Sequence, residues 1–336
     1  MPASLAAPSS ILVINVSRIG DTLLTTPVLR ALARAWPQAH IRFMGHPRRV
    51  EVVAHAEGVA DTAGITKRSA VLRGRLPARR RDLALVYGFD RALVAYALRV
   101  AHRVVAFQQD EPALDGRLYR AVPPPAFQQL HSAEIPLLLT RALGVPDAGM
   151  RLSYTVTADE RRWARAFLAE RVDSAAKPLV GLQVASFPTK AYRDWPLECF
   201  AQLCARLRSR WPRAHFLLFG GAGDKRKTAW IKNELGGHAT VLAGTTTLRQ
   251  SASLMNELDL YVGVDTGPTH IMGALDRPMV ALYHCYSPSR LLRPLERARC
   301  HAVDHPRGEG CSPQTPMAEI PVESVWTAAV EALAEA

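Results

Sequence analysis

Six consecutive residues, Asp265-Thr266-Gly267-Pro268-Thr269-His270, set an acid, two hydroxyls and an imidazole around a glycine and a proline. They follow an apolar run and open a helical pattern. Gly267 frees the backbone and Pro268 suits a first helical turn. The N–H groups of such a turn and the helix dipole favour an anion, so the pattern reads as a diphosphate cradle with Thr266, Thr269 and His270 as further donors. The plainer alternatives are a capping Asp265 and a core His270.

A second constellation, Ser17-Arg18-Ile19-Gly20-Asp21-Thr22, follows the first apolar run of the chain. Gly20 allows close backbone approach. Asp21 stands at a helix start, where a carboxylate either caps the helix or, at the carboxyl edge of a sheet, serves as a base. The segment is not GxGxxG, so the dinucleotide fingerprint is absent. A third stretch runs from Ser186 through Lys190 and Arg193 to Trp195-Pro196; the hydroxyl can donate to a phosphate and the two cations can neutralise one, or the segment is a Trp-Pro helix entry with solvated charges. Gly220-Gly221-Ala222-Gly223-Asp224 is a glycine-rich turn whose acid can hold ribose hydroxyls. Gly244-Thr245-Thr246-Thr247 adds hydroxyls ahead of a helix.

These stretches all sit between predicted strands and helices. Apolar runs at 11–16, 41–44, 83–87 and 103–107 read as buried strands. Helical spacing covers 21–36, 91–100 and 131–143, and the Pro-rich stretch 108–129 reads as a long loop. The alternation restarts with strands at 179–184, 215–219, 240–242, 260–264 and 279–283. Helices are predicted at 197–211, 224–235, 248–257, 269–275 and 322–334. Strand–helix alternation of this kind predicts parallel α/β sheets. LARAWPQAHIRFMG (Leu32 to Gly45) and LRSRWPRAHFLLFG (Leu207 to Gly220) agree at six of fourteen positions. Both place a Trp-Pro turn between a helix and a strand, which points to two similar Rossmann-like domains, 11–160 and 161–330.

Composition narrows the class. With 48% hydrophobic and 21% charged residues the chain is an ordinary globular one, and no apolar stretch approaches the ~18 residues of a membrane span. The first ten residues carry no Lys or Arg, so no signal peptide is read and the cytoplasm is the expected compartment. Five cysteines without a CxxC, with Cys285, Cys300 and Cys311 far apart, predict neither a disulfide framework nor a zinc site. The net charge is +12; up to residue 160 there are 20 basic and 13 acidic side chains, a net of +7. Lys67, Arg68, Arg73, Arg75, Arg79, Arg80 and Arg81 form the densest basic run. It reads as a solvated loop or as a contact for an anionic membrane or glycan. Nucleic acid is not expected, since aromatics are 7% and no RNA-binding sheet pattern occurs.

SRIGDTLLTTPVLRAL, the K…WP turn, GGAGD, LAGTTTL and VGVDTGPTHIMGAL, in this order, resemble glycosyltransferase family 9, the ADP-heptose:lipopolysaccharide heptosyltransferases, over residues 11 to 330. The resemblance implies a GT-B enzyme with an acceptor-binding amino-terminal domain and a nucleotide-sugar-binding carboxy-terminal domain. It places Asp21 as the general base of an inverting transfer, with Ser17, Arg18 and Gly20 beside the acceptor. Asp265, Thr266, Gly267 and His270 would hold the donor diphosphate and heptose, Ser186 and Lys190 the phosphate and sugar, Thr246 the adenosine and Asp224 the ribose. The family's basic residue two before Trp-Pro is Arg193 here, whereas Lys190 keeps the spacing from Ser186, so both are candidates. No metal or cofactor beyond the donor substrate, expected to be ADP-heptose, is implied, and no Asp-x-Asp occurs to hold one. The expected partner is a phosphorylated lipopolysaccharide core, met by a peripheral enzyme on the inner face of the cytoplasmic membrane. The rivals are a transferase of another nucleotide sugar, an NAD oxidoreductase and a non-catalytic glycan- or membrane-binding protein.

Overall fold

The computed structural model describes residues 6–74, 77, 79–308 and 310–335, and its contacts divide the chain into two units, Met1–Thr155 and Val156–Ala336. In the first, β1 (Ser10–Asn15), α1 (Ile19–Leu23), α2 (Thr26–Ala35), β2 (His40–Gly45) and β3 (Val59–Gly64) come first. Then follow α3 (Lys67–Arg73), β4 (Arg81–Val86), α4 (Arg91–Val100), β5 (Ala101–Phe107), α5 (Pro112–Asp115), β6 (Arg120–Val122) and α6 (Glu134–Arg141). The strands form one parallel sheet in the order β3-β2-β1-β4-β5-β6. Ile11 to Ile14 are buried without alternation because helices cover both faces.

The second unit begins with α7 (Ala158–Arg171), β7 (Leu179–Gln183), α8 (Leu197–Arg210), β8 (His215–Phe219), α9 (Lys225–Leu235) and β9 (Ala239–Val241). It continues with α10 (Leu248–Met255), β10 (Leu260–Val264), α11 (Gly267–Leu275), β11 (Met279–Tyr283), α12 (Ser289–Leu292), β12 (Cys300–Asp304) and α13 (Val322–Ala334). Its parallel sheet runs β12-β11-β10-β7-β8-β9. Phe200, Leu203, Cys204 and Leu207 of α8 pack with Val325 and Ala329 of α13 on the strands. Two doubly wound α/β sheets are therefore present, as the alternation predicts.

The internal repeat is a repeat of hydrogen bonds. Trp36 N donates to Leu32 O at 2.9 Å and Trp211 N to Leu207 O at 2.7 Å; Ala39 N and Ala214 N then donate back to Trp36 O and Trp211 O. Each Trp-Pro turn thus ends a helix and aims the chain into the second strand of its sheet.

Several elements depart from the sequence expectation. The helix expected over 21–36 is two helices, because Pro27 starts a new one; Thr25 Oγ1 and Thr26 Oγ1 donate to Thr22 O and Leu23 O, satisfying carbonyls that α1 leaves open. The loop expected over 108–129 contains α5 and β6, an edge strand tied by Gln108 N to Val122 O at 2.8 Å. The basic run is not a plain loop: Lys67, Arg68 and Arg73 lie on α3 and Arg81 starts β4, while Arg75 lies outside the described residues. Half-exposed edge strands β3 and β12 and the polar helix α7 lack the apolar runs that mark the others. Cys285 and Cys311, 26 residues apart, form a disulfide with Cα atoms 5.9 Å apart. Their sequence spacing conceals this, because the loops that carry them meet only through the β11–β12 side of the sheet. No helix among the described residues is long and apolar enough to cross a membrane.

Asp82 fastens the start of β1 to β4. It accepts from Ser9 N and Oγ, both at 2.8 Å, and from Ser10 N at 3.0 Å. These bonds lower its carboxyl to about 2 against the penalty of burial. A carboxyl depressed in the folded state contributes stability above its unfolded pKa, and that contribution disappears as pH falls through the folded value. Asp82→Ala should therefore cost roughly 1 kcal/mol at neutral pH, allowing for solvent screening. Urea midpoints measured at pH 7 and pH 2 should show the gap between variant and wild type closing at the lower pH.

Candidate functional site

In each sheet the strand order reverses once, between β1 and β4 in the first unit and between β7 and β10 in the second. Loops leaving the carboxyl ends of such strands diverge and open a crevice for ligands. The candidate residues of the second unit collect at its reversal: Ser186, Lys190 and Arg193 follow β7, and Asp265 to His270 follow β10.

The loop after β7 is fixed at both ends. Trp195, 1% exposed, is packed edge-on against Phe200 and donates Nε1–H to Ile320 O at 3.1 Å. Beside it Asp194 is a hub. Its Oδ1 accepts from Ser186 N at 2.7 Å and lies 2.6 Å from Ser186 Oγ; its Oδ2 accepts from Lys227 Nζ of α9 at 2.6 Å. The Ser186 hydroxyl also reaches Lys190 O at 2.7 Å. In the structure this hydroxyl braces the loop from within.

Both cationic candidates surround Tyr192. Lys190 Nζ and Arg193 Cζ lie 5.6 and 5.5 Å from its ring centroid. They are otherwise unlike. Arg193 forms an ion pair with Asp265, whose side chain is 3% exposed, and also donates to Asp265 O at 3.3 Å, Ser287 Oγ at 3.0 Å and Tyr192 OH at 3.3 Å. Lys190 has no carboxylate partner among the described residues. Burial raises the Tyr192 phenol, but hydrogen bonds with Ser287 and Arg193 and the charges of Arg193 and Lys190 outweigh it and hold the group below its ordinary value. The charges of Arg193 and Lys190 thus make the surroundings of this ring electropositive.

The helix that follows β10 presents an uncapped start. Thr266 is the N-cap of α11, yet its side chain makes no capping bond; Oγ1 donates to Val264 O at 3.3 Å. Thr269 Oγ1 donates to the same carbonyl at 2.6 Å and lies 3.1 Å from Tyr261 OH. The N–H groups of the first turn are left to a ligand or solvent. His270 is buried with Nε2 3.7 Å from Asp265 Oδ1, and its Nδ1 has no hydrogen-bond partner among the described residues. A buried ring nitrogen without a partner is costly, which favours the binding reading of His270 over the core one.

Two further turns line the carboxyl edge on the β8–β9 side. Asp224 Oδ2 accepts from Gly221 N at 2.8 Å and shapes the glycine turn. Thr246 Oγ1 lies 2.8 Å from Ser251 Oγ, while Thr247 is the residue that caps α10. Gly244 at φ +66° brings the two turns together: a Cβ there would stand 2.8 Å from Ala222 Cα.

In the first unit the loop after β1 is organised by Asn15, a polar residue ending an otherwise apolar strand. Asn15 Nδ2 donates to Asp21 O at 3.0 Å, and Ser17 Oγ donates to Asn15 Oδ1. Arg49 Nη1 braces the turn from the other side, on Ser17 O at 2.9 Å. Gly20 is buried, Arg18 exposed, and Thr22 Oγ1 donates to Arg18 O at 2.8 Å. Asp21 is in the first turn of α1, but the N-cap is Arg18 and no side chain caps it. The Asp21 carboxylate is exposed and has no hydrogen bond or ion pair among the described residues, so it is not a cap. Sequence reasoning missed Asn15, Asp194, Tyr192, Lys227 and Ser287; a lone Asn closing an apolar run was a signal for the first, and contact across strands hid the others.

His284, Cys285 and Cys311 hold three potential ligand atoms within 4.8 Å of one another. They do not fit a metal as they stand. Both sulfurs are spent on each other, and His284 donates from Nε2 to Thr315 O at 2.8 Å while Nδ1 accepts from Tyr286 N at 3.0 Å.

The profile of glycosyltransferase family 9 (heptosyltransferase) matches residues 86–316. Lipopolysaccharide heptosyltransferase 3 of Escherichia coli is 23% identical over 283 residues, 79% of this chain and 80% of that relative. Among solved structures, Escherichia coli ADP-heptose lps heptosyltransferase II superposes with a TM-score of 0.80 at 21% identity, covering 97% of this chain and 99% of that one. Escherichia coli heptosyltransferase WaaC with ADP gives 0.73 at 19%, covering 96% and 99%. These structures share the fold.

Removing the Asp194 hub should loosen the whole loop after β7. Asp194→Ala leaves Lys227 and Ser186 N without their partner and should cost about 1–3 kcal/mol. The expected result is a lower urea midpoint at unchanged denaturant slope; an unchanged midpoint would show that the loop is held by Trp195 alone.

Proposed function

Because the chain belongs to glycosyltransferase family 9, the heptosyltransferases, it is a heptosyl-transferring enzyme of lipopolysaccharide core assembly, and we propose that it uses ADP-heptose by an inverting, metal-independent displacement. The observation that carries this reading is the second unit's strand reversal, where an unneutralised lysine and an uncapped helix start face the same carboxyl edge. The ADP bound by WaaC, a relative of the same fold, supports a nucleotide donor.

In this reading the donor diphosphate lies against the N–H groups that open α11, with Lys190 and Arg193 supplying positive charge and His270 a hydrogen bond. Thr246 and Asp224 take the adenosine and ribose, and Asp265 and Gly267 border the heptose. The acceptor sits against Ser17, Arg18 and Gly20. Its hydroxyl oxygen attacks the anomeric carbon from the face opposite ADP. As the new C–O bond forms, the bond to the phosphate oxygen breaks and ADP leaves with the electron pair. Asp21 takes the hydroxyl proton. Fixed dipoles and cations at the leaving diphosphate stabilise the developing charge where they already point.

A peripheral position on the inner face of the cytoplasmic membrane agrees with α3. Arg68 is exposed there beside Val71 and Leu72, 47% and 65% exposed. Cationic and apolar side chains on one short helix suit an anionic headgroup layer, at roughly 1 kcal/mol per cation. The remaining basic residues are partly engaged: Lys67 pairs with Asp90, and Arg73 donates to Gly64 O at 2.8 Å.

Asp21→Asn should keep ADP affinity and stability and lose about 10²–10⁴-fold in turnover. Single-turnover transfer to a delipidated core acceptor, beside calorimetric titration with ADP, measures both. Turnover within about threefold of wild type would remove Asp21 from the chemistry.

Arg68→Gln with Arg79→Gln should weaken co-sedimentation with vesicles containing anionic lipid and flatten its salt dependence. Transfer to the delipidated acceptor should stay near wild type. An equal fall in that transfer would place these arginines at the acceptor instead.

A further inference from the structure

The turn after β11 reaches into the donor site from a strand that sequence reasoning left out of it. Ser287, 9% exposed, accepts from Arg193 Nη2 at 3.0 Å and lies 3.4 Å from Tyr192 OH. Arg193 in turn holds Asp265, so three loops, those after β7, β10 and β11, close on one guanidinium. What fixes Ser287 lies just before it. Ser287 N donates to the carbonyl of fully buried His284 at 2.8 Å. Tyr286 N donates to the His284 ring, and Cys285 is bonded to Cys311. Burial lowers the His284 imidazole against the raising effect of its Thr315 hydrogen bond, with the His305 and Arg193 charges smaller downward contributions, and its two hydrogen bonds, one donated from Nε2 and one accepted at Nδ1, suit the neutral tautomer.

We propose that Ser287 is a positioning residue for Arg193, that the Cys285–Cys311 disulfide holds Ser287 in place, and that the redox state of this cysteine pair sets affinity for the nucleotide donor. This rests on the donor reading given above. Closure joins the two Sγ atoms and breaks two S–H bonds; two electrons and two protons pass to a disulfide oxidant such as glutathione disulfide, which leaves as two thiols. Opening returns two thiols and frees the turn from the segment that carries Cys311. That segment stays tied by His284 to Thr315 O and by His305 to Pro316 O at 3.1 Å, so the response is graded. Disulfides that form in reducing compartments are as a rule catalytic or redox-sensing, which suits a cytoplasmic enzyme whose only paired cysteines, among those described, adjoin its site.

The test compares full-length protein equilibrated with glutathione disulfide or with a phosphine reductant. Alkylation and mass spectrometry count the thiols, with Cys199, Cys204 and Cys300 as the background. Each form is titrated with ADP, and donor KM and kcat are measured. The reduced form should bind ADP about three- to tenfold more weakly, the loss of roughly one hydrogen bond. Its donor KM should rise and its kcat at saturating donor should hold. The double variant Cys285→Ser with Cys311→Ser should match the reduced form and ignore the reductant. Ser287→Ala should bind weakly in both states and lose the redox response, which a purely structural disulfide would not cause. Equal affinity in two verified states, absence of the bond in glutathione disulfide, or a redox response that survives in Ser287→Ala would overturn the proposal. ADP binding to neither state of folded wild type is a separate result: it removes the donor site and this proposal with it.

Discussion

A buried charge needs a partner, and in the second unit that need joins loops far apart in sequence. Asp265, at the end of β10, is almost wholly shielded from water, and Arg193, in the loop after β7, is the cation that meets it. Desolvating either alone would cost several kcal/mol, so neither loop can drift without exposing an unpaired charge. The pair spans the reversal of strand order, where adjacent loops would otherwise part. Asp194 repeats the device one step outward, on Ser186 and on Lys227 of α9. With both acids satisfied inside the protein, the lysine and the helix start are left to act on a ligand.

The first unit uses the same sheet topology with a different solution at its reversal. There the neutral amide of Asn15 carries the loop, on Ser17 and on the backbone of Asp21. Among the described residues no cation is paired with the Asp21 carboxylate. The contrast is chemical. The second unit's loop carries the cations Lys190 and Arg193, whereas the hydrogen bonds of a neutral amide hold the first unit's. Bracing Asp21 through its carbonyl, and not through its side chain, leaves the acid exposed just beyond the first strand.

The fold was legible because strands covered on both faces become continuous apolar runs, and the twelve-strand pattern failed only where that condition failed. β3 and β12 are half-exposed edges, and β6 is three residues long. α7 escaped because its apolar stripe is thin, although Thr157 and Glu160 form a capping box that the sequence displays as T-x-x-E. The candidate site was legible by halves. The chain writes strand-end motifs as contiguous text, so Asp21, Lys190 and the Asp265 turn could be singled out as candidates; the hydrogen bonds around each group run between motifs. The Ser186 hydroxyl, read from the sequence as a phosphate donor, also braces its own loop, a contact that only the fold displays. Lys190 and Arg193 looked equivalent and are separated by Asp265, a contact across neighbouring strands. Cys285 and Cys311 looked unrelated for the same reason.

The Trp-Pro repeat brings these observations to one point. Trp36 and Trp211 close the same turn with the same hydrogen bonds, so the two units share the geometry that aims a helix into a second strand. What they do not share lies one connection earlier, at the loop after the first strand. In the first unit that loop passes straight into α1, three residues beyond β1. In the second it runs through the Asp194 hub to Trp195, whose indole N–H anchors it to Ile320 on the approach to α13. The longer loop creates the room for Lys190, Tyr192 and Arg193, and it also creates the entropy that their ordering must overcome. The ion pair, the hub and the buried indole all act on that entropy. A site assembled from a long loop is therefore only as ordered as the contacts that pin it, and the hydrogen bond that Ser287 accepts from Arg193 is one of them, brought in from the turn after β11.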